Sequence, residues 1–271
     1  MVKKTFQELE HAGWLAKANA YDELFATITE QSIASILQSF GDLAQKRLLD
    51  VACGTGHLAG VSSKHGAISE GVDFASTMVE KAKSNYPSVT FLEGDAEKLP
   101  YSDDTFDAVA CGFGLLHLEQ PQQAIKEAWR VLKSGGRYTY TVWCSPEQGG
   151  EFFKLVMGAI QKHGSLEVPL PPAPPMFRFA NLQESEKVLT EAGFVVPEIT
   201  ILHLAWRAIK PEDILDMIYK SVVRMPMLLE AQSTQARNLI HKEIIEVSEK
   251  FRDGKGIEIK FPALMATAQK T

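Results

Sequence analysis

From residue 48 onward short apolar runs alternate with amphipathic segments, and this rhythm is the strongest limit on what the chain can fold into. Runs at Leu48–Ala52, Ile68–Phe74, Val89–Glu93, Phe106–Cys111 and Arg137–Cys144 have the length of buried strands. Helical spacing separates them at His57–Lys64, Ser76–Asn85 and Pro121–Leu132, the last closed by Lys133-Ser134-Gly135-Gly136. Strands that alternate with helices form a parallel sheet covered on both faces. In such a doubly wound α/β sheet, ligands bind beyond the carboxyl ends of the strands, where the strand order reverses.

The flanks follow other rhythms. In the first 45 residues Ile33, Ile36, Leu37 and Phe40 recur at helical spacing, with Gly41 as the stop. After Cys144 a helix over Gln148–His163 ends at Gly164 and leads into the proline-rich run Val168–Pro175. Asn181-Leu182-Gln183-Glu184 has the form of a helix cap, and the helix that it opens ends at Gly193. Val195–Arg207 reads as a long strand, as does Gly256–Ala268 with an interruption at Pro262. Between them Pro211-Glu212-Asp213 opens a helix that Pro226 ends, and Leu239, Ile240, Ile244, Val247 and Phe251 stripe a second one. The segments 145–180 and 209–255 are too long for ordinary connections and read as lid insertions over one end of the sheet. The expected organisation is therefore N-terminal helices over 1–45, a ligand-binding core over 46–144, a core helix and strand over 181–208, and a last core strand over 256–271.

Composition removes several classes. With 45% hydrophobic and 23% charged residues the chain can bury a sizeable core. No stretch approaches the roughly 20 apolar residues of a membrane span, and the N-terminus lacks a signal-peptide pattern, so a cytoplasmic location and no membrane insertion are expected. A net charge of −6 with scattered Lys and Arg argues against a nucleic-acid partner. Cys53, Cys111 and Cys144 have neither disulfide nor zinc spacing, and no metal site is expected.

The chemistry concentrates in Leu48-Leu49-Asp50-Val51-Ala52-Cys53-Gly54-Thr55-Gly56-His57-Leu58-Ala59, a strand running into a small-residue turn and a helix. Glycines there let the backbone approach a ligand and turn amides toward it at a helix start. Alone this also fits a dinucleotide fingerprint or a ligand-free turn. Asp73 ends the next run about 20 residues on, where a carboxylate receives ribose hydroxyls. Asp95-Ala96 follows the third run, placed to read a base edge. Each acid alone is more often just a strand-end turn residue; three in register are much harder to dismiss as such.

The stretches LLDVACGTGHLA, GVDFASTMVEKAK, FLEGDAEKLPYSDDTFDAV and AIKEAWRVLKSGGRYTY resemble the class I S-adenosylmethionine-dependent methyltransferases, in particular the ubiquinone and menaquinone biosynthesis group. The resemblance is close over about residues 46–143. It implies a Rossmann-like seven-stranded sheet with a reversed last strand, and S-adenosyl-L-methionine as cofactor. It places Ala52, Gly54 and Gly56 against the methionine portion with Asp50 beneath, Asp73 on the ribose, Phe74 and Met78 beside adenine, Asp95 and Ala96 on its edge, and Cys111 beside the sulfonium. Many members carry Gly where Ala52 stands, and alanine crowds the backbone there. Tyr21 resembles an N-terminal tyrosine that closes over the cofactor, with helix packing as the alternative. His117 stands where relatives often carry a histidine near the methyl group, with a structural hydrogen bond as the alternative.

The expected function is methyl transfer by in-line displacement to a small, largely apolar metabolite. Positioning is worth roughly 7–11 kcal/mol, so an obvious catalytic dyad is not required. His117 is the candidate base if the acceptor is protonated. Phe177, Arg178 and Phe179, between the proline run and a helix cap, are candidate substrate-binding residues. A non-catalytic S-adenosylmethionine-binding protein, a relative recruited to another reaction, and a nicotinamide-dependent oxidoreductase are the competing readings. The acceptor, the atom methylated and the oligomeric state are not legible.

Overall fold

The apolar runs pair as parallel strands. A computed structural model of the protein describes residues 4–271. Helices α1 (Phe6–Glu23), α2 (Ala26–Thr29) and α3 (Ile33–Phe40) come first; β1 (Arg47–Val51), α4 (His57–Lys64), β2 (Ile68–Asp73), α5 (Ser76–Asn85), β3 (Thr90–Glu93), β4 (Phe106–Gly112), α6 (Pro121–Val131) and β5 (Leu132–Trp143) follow. The remainder is α7 (Glu151–His163), α8 (Leu182–Glu191), β6 (Phe194–Ala208), α9 (Asp213–Ser221), α10 (Arg224–Glu230), α11 (Thr234–Ser248), β7 (Arg252–Asp253) and β8 (Gly256–Lys270). The sheet runs β3-β2-β1-β4-β5-β8-β6, with the two-residue β7 paired to β8 off this path. The last strand, β8, is antiparallel to β5, with Arg137 opposite Gln269 and Trp143 opposite Ala263. The strand order reverses between β1 and β4, which pair in parallel, so two loops leave the sheet side by side there.

The chain divides into two compact units. The sheet-bearing unit comprises Thr29–Trp143, Ala173–Leu202 and Ala263–Thr271. In it α3, α4 and α5 form one contiguous helical layer and α6 and α8 another. Ile33, Ile36 and Phe40 of α3 pack with Leu48, Leu58, Ala108 and Ala110, because alternate residues of β1 and β4 turn to that face. The other unit comprises the chain up to Ile28, Cys144–Pro172 and His203–Pro262. In it α1 packs on α9, and α11 on α7 and α9. A capping box opens α1: the Glu8 N–H donates to Thr5 Oγ1 and the Thr5 N–H to the Glu8 carboxylate.

Several boundaries differ from the sequence reading. Segment 145–180 does not stay together, since the division falls between Pro172 and Ala173. Lys133-Ser134-Gly135-Gly136 belongs to β5 rather than to a helix stop, with a register shift opposite Phe106 to Ala108 and Gly135 at φ +80°. Pro226 opens α10 rather than ending a helix: it lies in the first turn, where a missing N–H costs nothing. Pro262 does not break β8, because only its carbonyl is needed: the Cys144 N–H donates to it at 3.0 Å. Among the described residues no helix is long and apolar enough to cross a membrane.

Candidate functional site

The loop after β1 sits at the reversal of strand order, and its backbone explains its composition. Ala52, Gly54 and Gly56 have φ of +55°, +52° and +86°. A Cβ at Gly56 would stand 2.7 Å from Phe91 and 2.9 Å from Ala82, so both conformation and space require glycine. Two buried carboxylates hold the turn. Asp73 accepts the Gly54 N–H at 2.9 Å with one oxygen and the Ala75 N–H at 3.0 Å with the other. Asp50, 2% exposed, accepts the Ala59 N–H of α4 at 3.1 Å. Burial, with the nearby Asp73 charge adding to it, pushes the Asp50 carboxyl up to about 7. The amide of Gly56 donates to the Cys53 carbonyl at 2.9 Å. The amides at 54 and 56, expected to face a ligand, thus have protein partners, and the acidic groups beside the turn are Asp73 and the Asp50 carboxyl.

Phe74 lies half-buried and Met78 buried just beyond Asp73. After β3, Asp95 is exposed and accepts the Glu97 N–H at 2.8 Å, while Ala96 is buried. The sequence reading missed what holds this loop. Arg130 of α6 forks onto Glu127 at 2.8 and 2.7 Å and donates to the carbonyls of Tyr101 (2.7 Å) and Leu99 (3.1 Å) and to Asp103 (2.8 Å). Glu127 in turn accepts the Leu99 N–H at 2.8 Å. The i, i+3 acid–base pair in EAWR was a visible signal for the fork, but not for the loop that it grips.

The loop after β4 carries Cys111, Gly112, Phe113 and a 3-10 turn, Leu115–His117. Burial pushes the Cys111 thiol up to about 12, which keeps it neutral and unreactive at pH 7. Phe113 adopts φ +58°, an outlier for a bulky side chain, and its ring stacks on Trp143 at 3.9 Å. Its N–H donates to the Thr141 carbonyl at 3.0 Å. His117 is half-buried, and its N–H donates to the Gly114 carbonyl at 2.9 Å.

The structure brings Asp50, Ala52, Gly54, Gly56, Asp73, Phe74, Met78, Asp95, Ala96, Cys111 and His117 into the sheet-bearing unit, at or just beyond strand carboxyl ends. Tyr21 belongs to the other unit, edge-on to Trp14 at 5.5 Å. Phe177, Arg178 and Phe179 fall in the sheet-bearing unit. Phe179 is buried near Tyr140, and its carbonyl accepts from Ser185. Arg178 lies over the Phe179 ring at 4.9 Å and donates to Gln122. These contacts pack the Phe179 ring into the core and hold the Arg178 head beside Gln122. Two pairings had no sequence signal: His57 with Tyr86 (2.8 Å), and, in the other unit, His241 with Tyr219 (2.8 Å). No cluster suited to a metal ion occurs among the described residues.

Residues 49–140 match the family model of a methyltransferase domain. Over 93 residues the chain is 45% identical to a demethylmenaquinone methyltransferase of Chlorobaculum tepidum, covering 34% of this chain and 38% of that protein. The chain spans between 38% and 49% of the curated demethylmenaquinone methyltransferases that it matches. Among solved structures it is similar to YcgJ of Bacillus subtilis, with TM-score 0.60 and 21% identity over 88% of this chain and 97% of that one. It is also similar to the [4+2]-cyclase SpnF, with TM-score 0.57 and 18% identity over 100% of this chain and 98% of that one. At those identities the likeness is one of fold.

Proposed function

Because residues 49–140 match the family model of a methyltransferase domain, we propose that the protein transfers a methyl group from S-adenosyl-L-methionine to a small, largely apolar metabolite. The observation that carries this reading is the pair of buried carboxylates, Asp50 and Asp73, around a left-handed small-residue turn. Burial, with the Asp73 charge adding to it, holds the Asp50 carboxyl well above its ordinary range, and a cationic ligand offsets this by favouring the ionised carboxylate. S-adenosylmethionine, with its sulfonium and ammonium, fits that demand. A pyrophosphate does not: it would face the Asp73 carboxylate, and the Gly54 amide that would cradle it is bound to that residue.

In this assignment Ala52, Gly54 and Gly56 shape the turn for the methionine portion, and Asp50 balances its charge. Asp73 receives the ribose hydroxyls, Phe74 and Met78 flank the adenine, and Asp95 and Ala96 read its edge. When bound, the cofactor supplies a methyl group made electrophilic by positive sulfur. The chain's own work is to orient the acceptor in line, exclude water and, for a protonated acceptor, take the proton on His117. Phe177 with Arg178 is assigned an acceptor-side role. A small-molecule acceptor is supported by the names of the curated relatives and by the acidic, unclustered charge.

A second reading, recruitment of the fold to a different reaction, is supported by the likeness to a [4+2]-cyclase. One experiment separates the two. Calorimetry should show S-adenosylmethionine binding to the parent, weakened about tenfold or more in Asp73→Ala, since hydrogen bonds to a charged group contribute ~1.5–3 kcal/mol. S-adenosylhomocysteine should accumulate when a demethylated quinol or another small apolar acceptor is supplied. Binding without that product under any acceptor favours recruitment, and tight NADH binding overturns both.

A further inference from the structure

Ala52 and Gly114 each occupy the backbone conformation that suits the other. Ala52 has φ +55°, a region that favours glycine. Gly114 has φ −81° and ψ −37°, which any residue adopts. Space, not backbone, demands glycine at 114. A Cβ there would lie 2.6 Å from the Ala52 Cβ, 2.8 Å from Cys111 Sγ and 3.8 Å from the Val51 carbonyl oxygen. The Ala52 methyl therefore fills the place beside Gly114. It is the point at which the loop after β1 meets the loop after β4, and those two strands are neighbours in the sheet. The second loop is itself pinned, with Phe113 bonded to Thr141 and His117 to Gly114.

We propose that Ala52 is a positioning residue, whose methyl wedges against Gly114 and locks the cofactor turn to the loop that carries His117. The inference rests on the methyl-transfer reading and deepens it. Strain at a left-handed alanine persists only where the surroundings hold it, and here it keeps a side chain at a point where glycine would leave two bare backbones facing one another.

The test is a substitution cycle read by thermal melting, by calorimetry with S-adenosylmethionine and by acceptor kinetics. Gly114→Ala should lower the melting temperature and weaken cofactor binding by about tenfold or more, as expected of residues in contact. The double variant Ala52→Gly/Gly114→Ala removes the closer of the two clashes, with Cys111 Sγ still 2.8 Å from the added methyl, and should bind S-adenosylmethionine at least about threefold more tightly than Gly114→Ala. If Gly114→Ala does not fold, recovery of folded protein in the double variant is the same readout. Ala52→Gly alone should fold and lower kcat by about threefold or more, with acceptor KM unchanged. The wedge is overturned if Gly114→Ala is harmless, if the double variant is no better than the single, or if Cys111→Ala rescues Gly114→Ala and Ala52→Gly does not. A parent that fails to bind S-adenosylmethionine overturns the methyl-transfer reading instead, and the melting cycle alone then decides whether the two residues are coupled.

Discussion

At the residue scale, Asp50 links burial to a measurable pH dependence. Its carboxyl, pushed up to about 7, keeps a proton in the folded chain that an unfolded chain releases near pH 4. The native state therefore binds more protons across that window, and stability should fall as pH rises from about 4 to about 7. Cofactor affinity should move the other way, because a bound cation favours the ionised carboxylate: affinity should rise with pH up to about 7 and level off above it. Asp50→Asn should flatten both profiles in denaturation and calorimetry, and a parent profile that is already flat would contradict the assignment. For His117 the expected outcome is a kcat lowered about 10²–10⁴-fold in His117→Ala, with cofactor affinity intact, if the acceptor must lose a proton. A drop in stability with the rate per folded molecule retained would assign it to structure.

At the element scale, α6 does more than cover the sheet. Through the Glu127–Arg130 fork it grips the loop between β3 and β4, the loop that carries Asp95 and Ala96. The Arg130 guanidinium holds the Glu127 carboxyl below its ordinary range. Arg130→Leu leaves Glu127 and two carbonyls short of donors and should cost about 2–3 kcal/mol in urea denaturation, discounted for partial exposure. Arg130→Lys should recover little of this, because an ammonium cannot reproduce the planar fork. The loss on acidification should also shrink in Arg130→Leu, since the depressed Glu127 pKa contributes stability that disappears as pH falls through it. A change below about 0.5 kcal/mol would show that the fork is ornamental.

At the scale of the whole molecule, the sheet is completed by a strand from the far end of the sequence. β8 lies between β5 and β6, so the pairing of Arg137–Trp143 waits for Ala263–Gln269. Lys270 secures the end of that strand. Its ammonium, nearly buried, donates to Asp104 at 2.8 Å and to the Leu132 and Arg130 carbonyls at 2.7 and 3.4 Å, and stands 4.1 Å from the Trp129 ring centroid. Lys270→Met keeps the stem and removes the donors, leaving buried carbonyls unpaired, and should cost about 2–4 kcal/mol. Guanidinium denaturation followed by fluorescence checks this, and an unchanged midpoint would show that the ammonium is dispensable.

What the sequence determined by itself is local. Apolar runs of strand length, the small-residue turn at 52–56 and the start of α4 each show in a short stretch of chain, although Asp73 and Phe91 from further along hold and crowd that turn. The helix cap at Asn181 was legible for the same reason: its side chain reaches only to the Glu184 N–H. Tertiary structure alone decided the rest. The wedge of Ala52 on Gly114, the fork of Arg130 on the Leu99–Asp103 loop and the grip of Lys270 on Asp104 join residues remote in sequence. It also decided that the amides of Gly54 and Gly56 bind protein groups, and that Phe179 is a core residue. Such outcomes depend on which surfaces packing brings within a few ångströms, and spacing along a single chain carries no record of that.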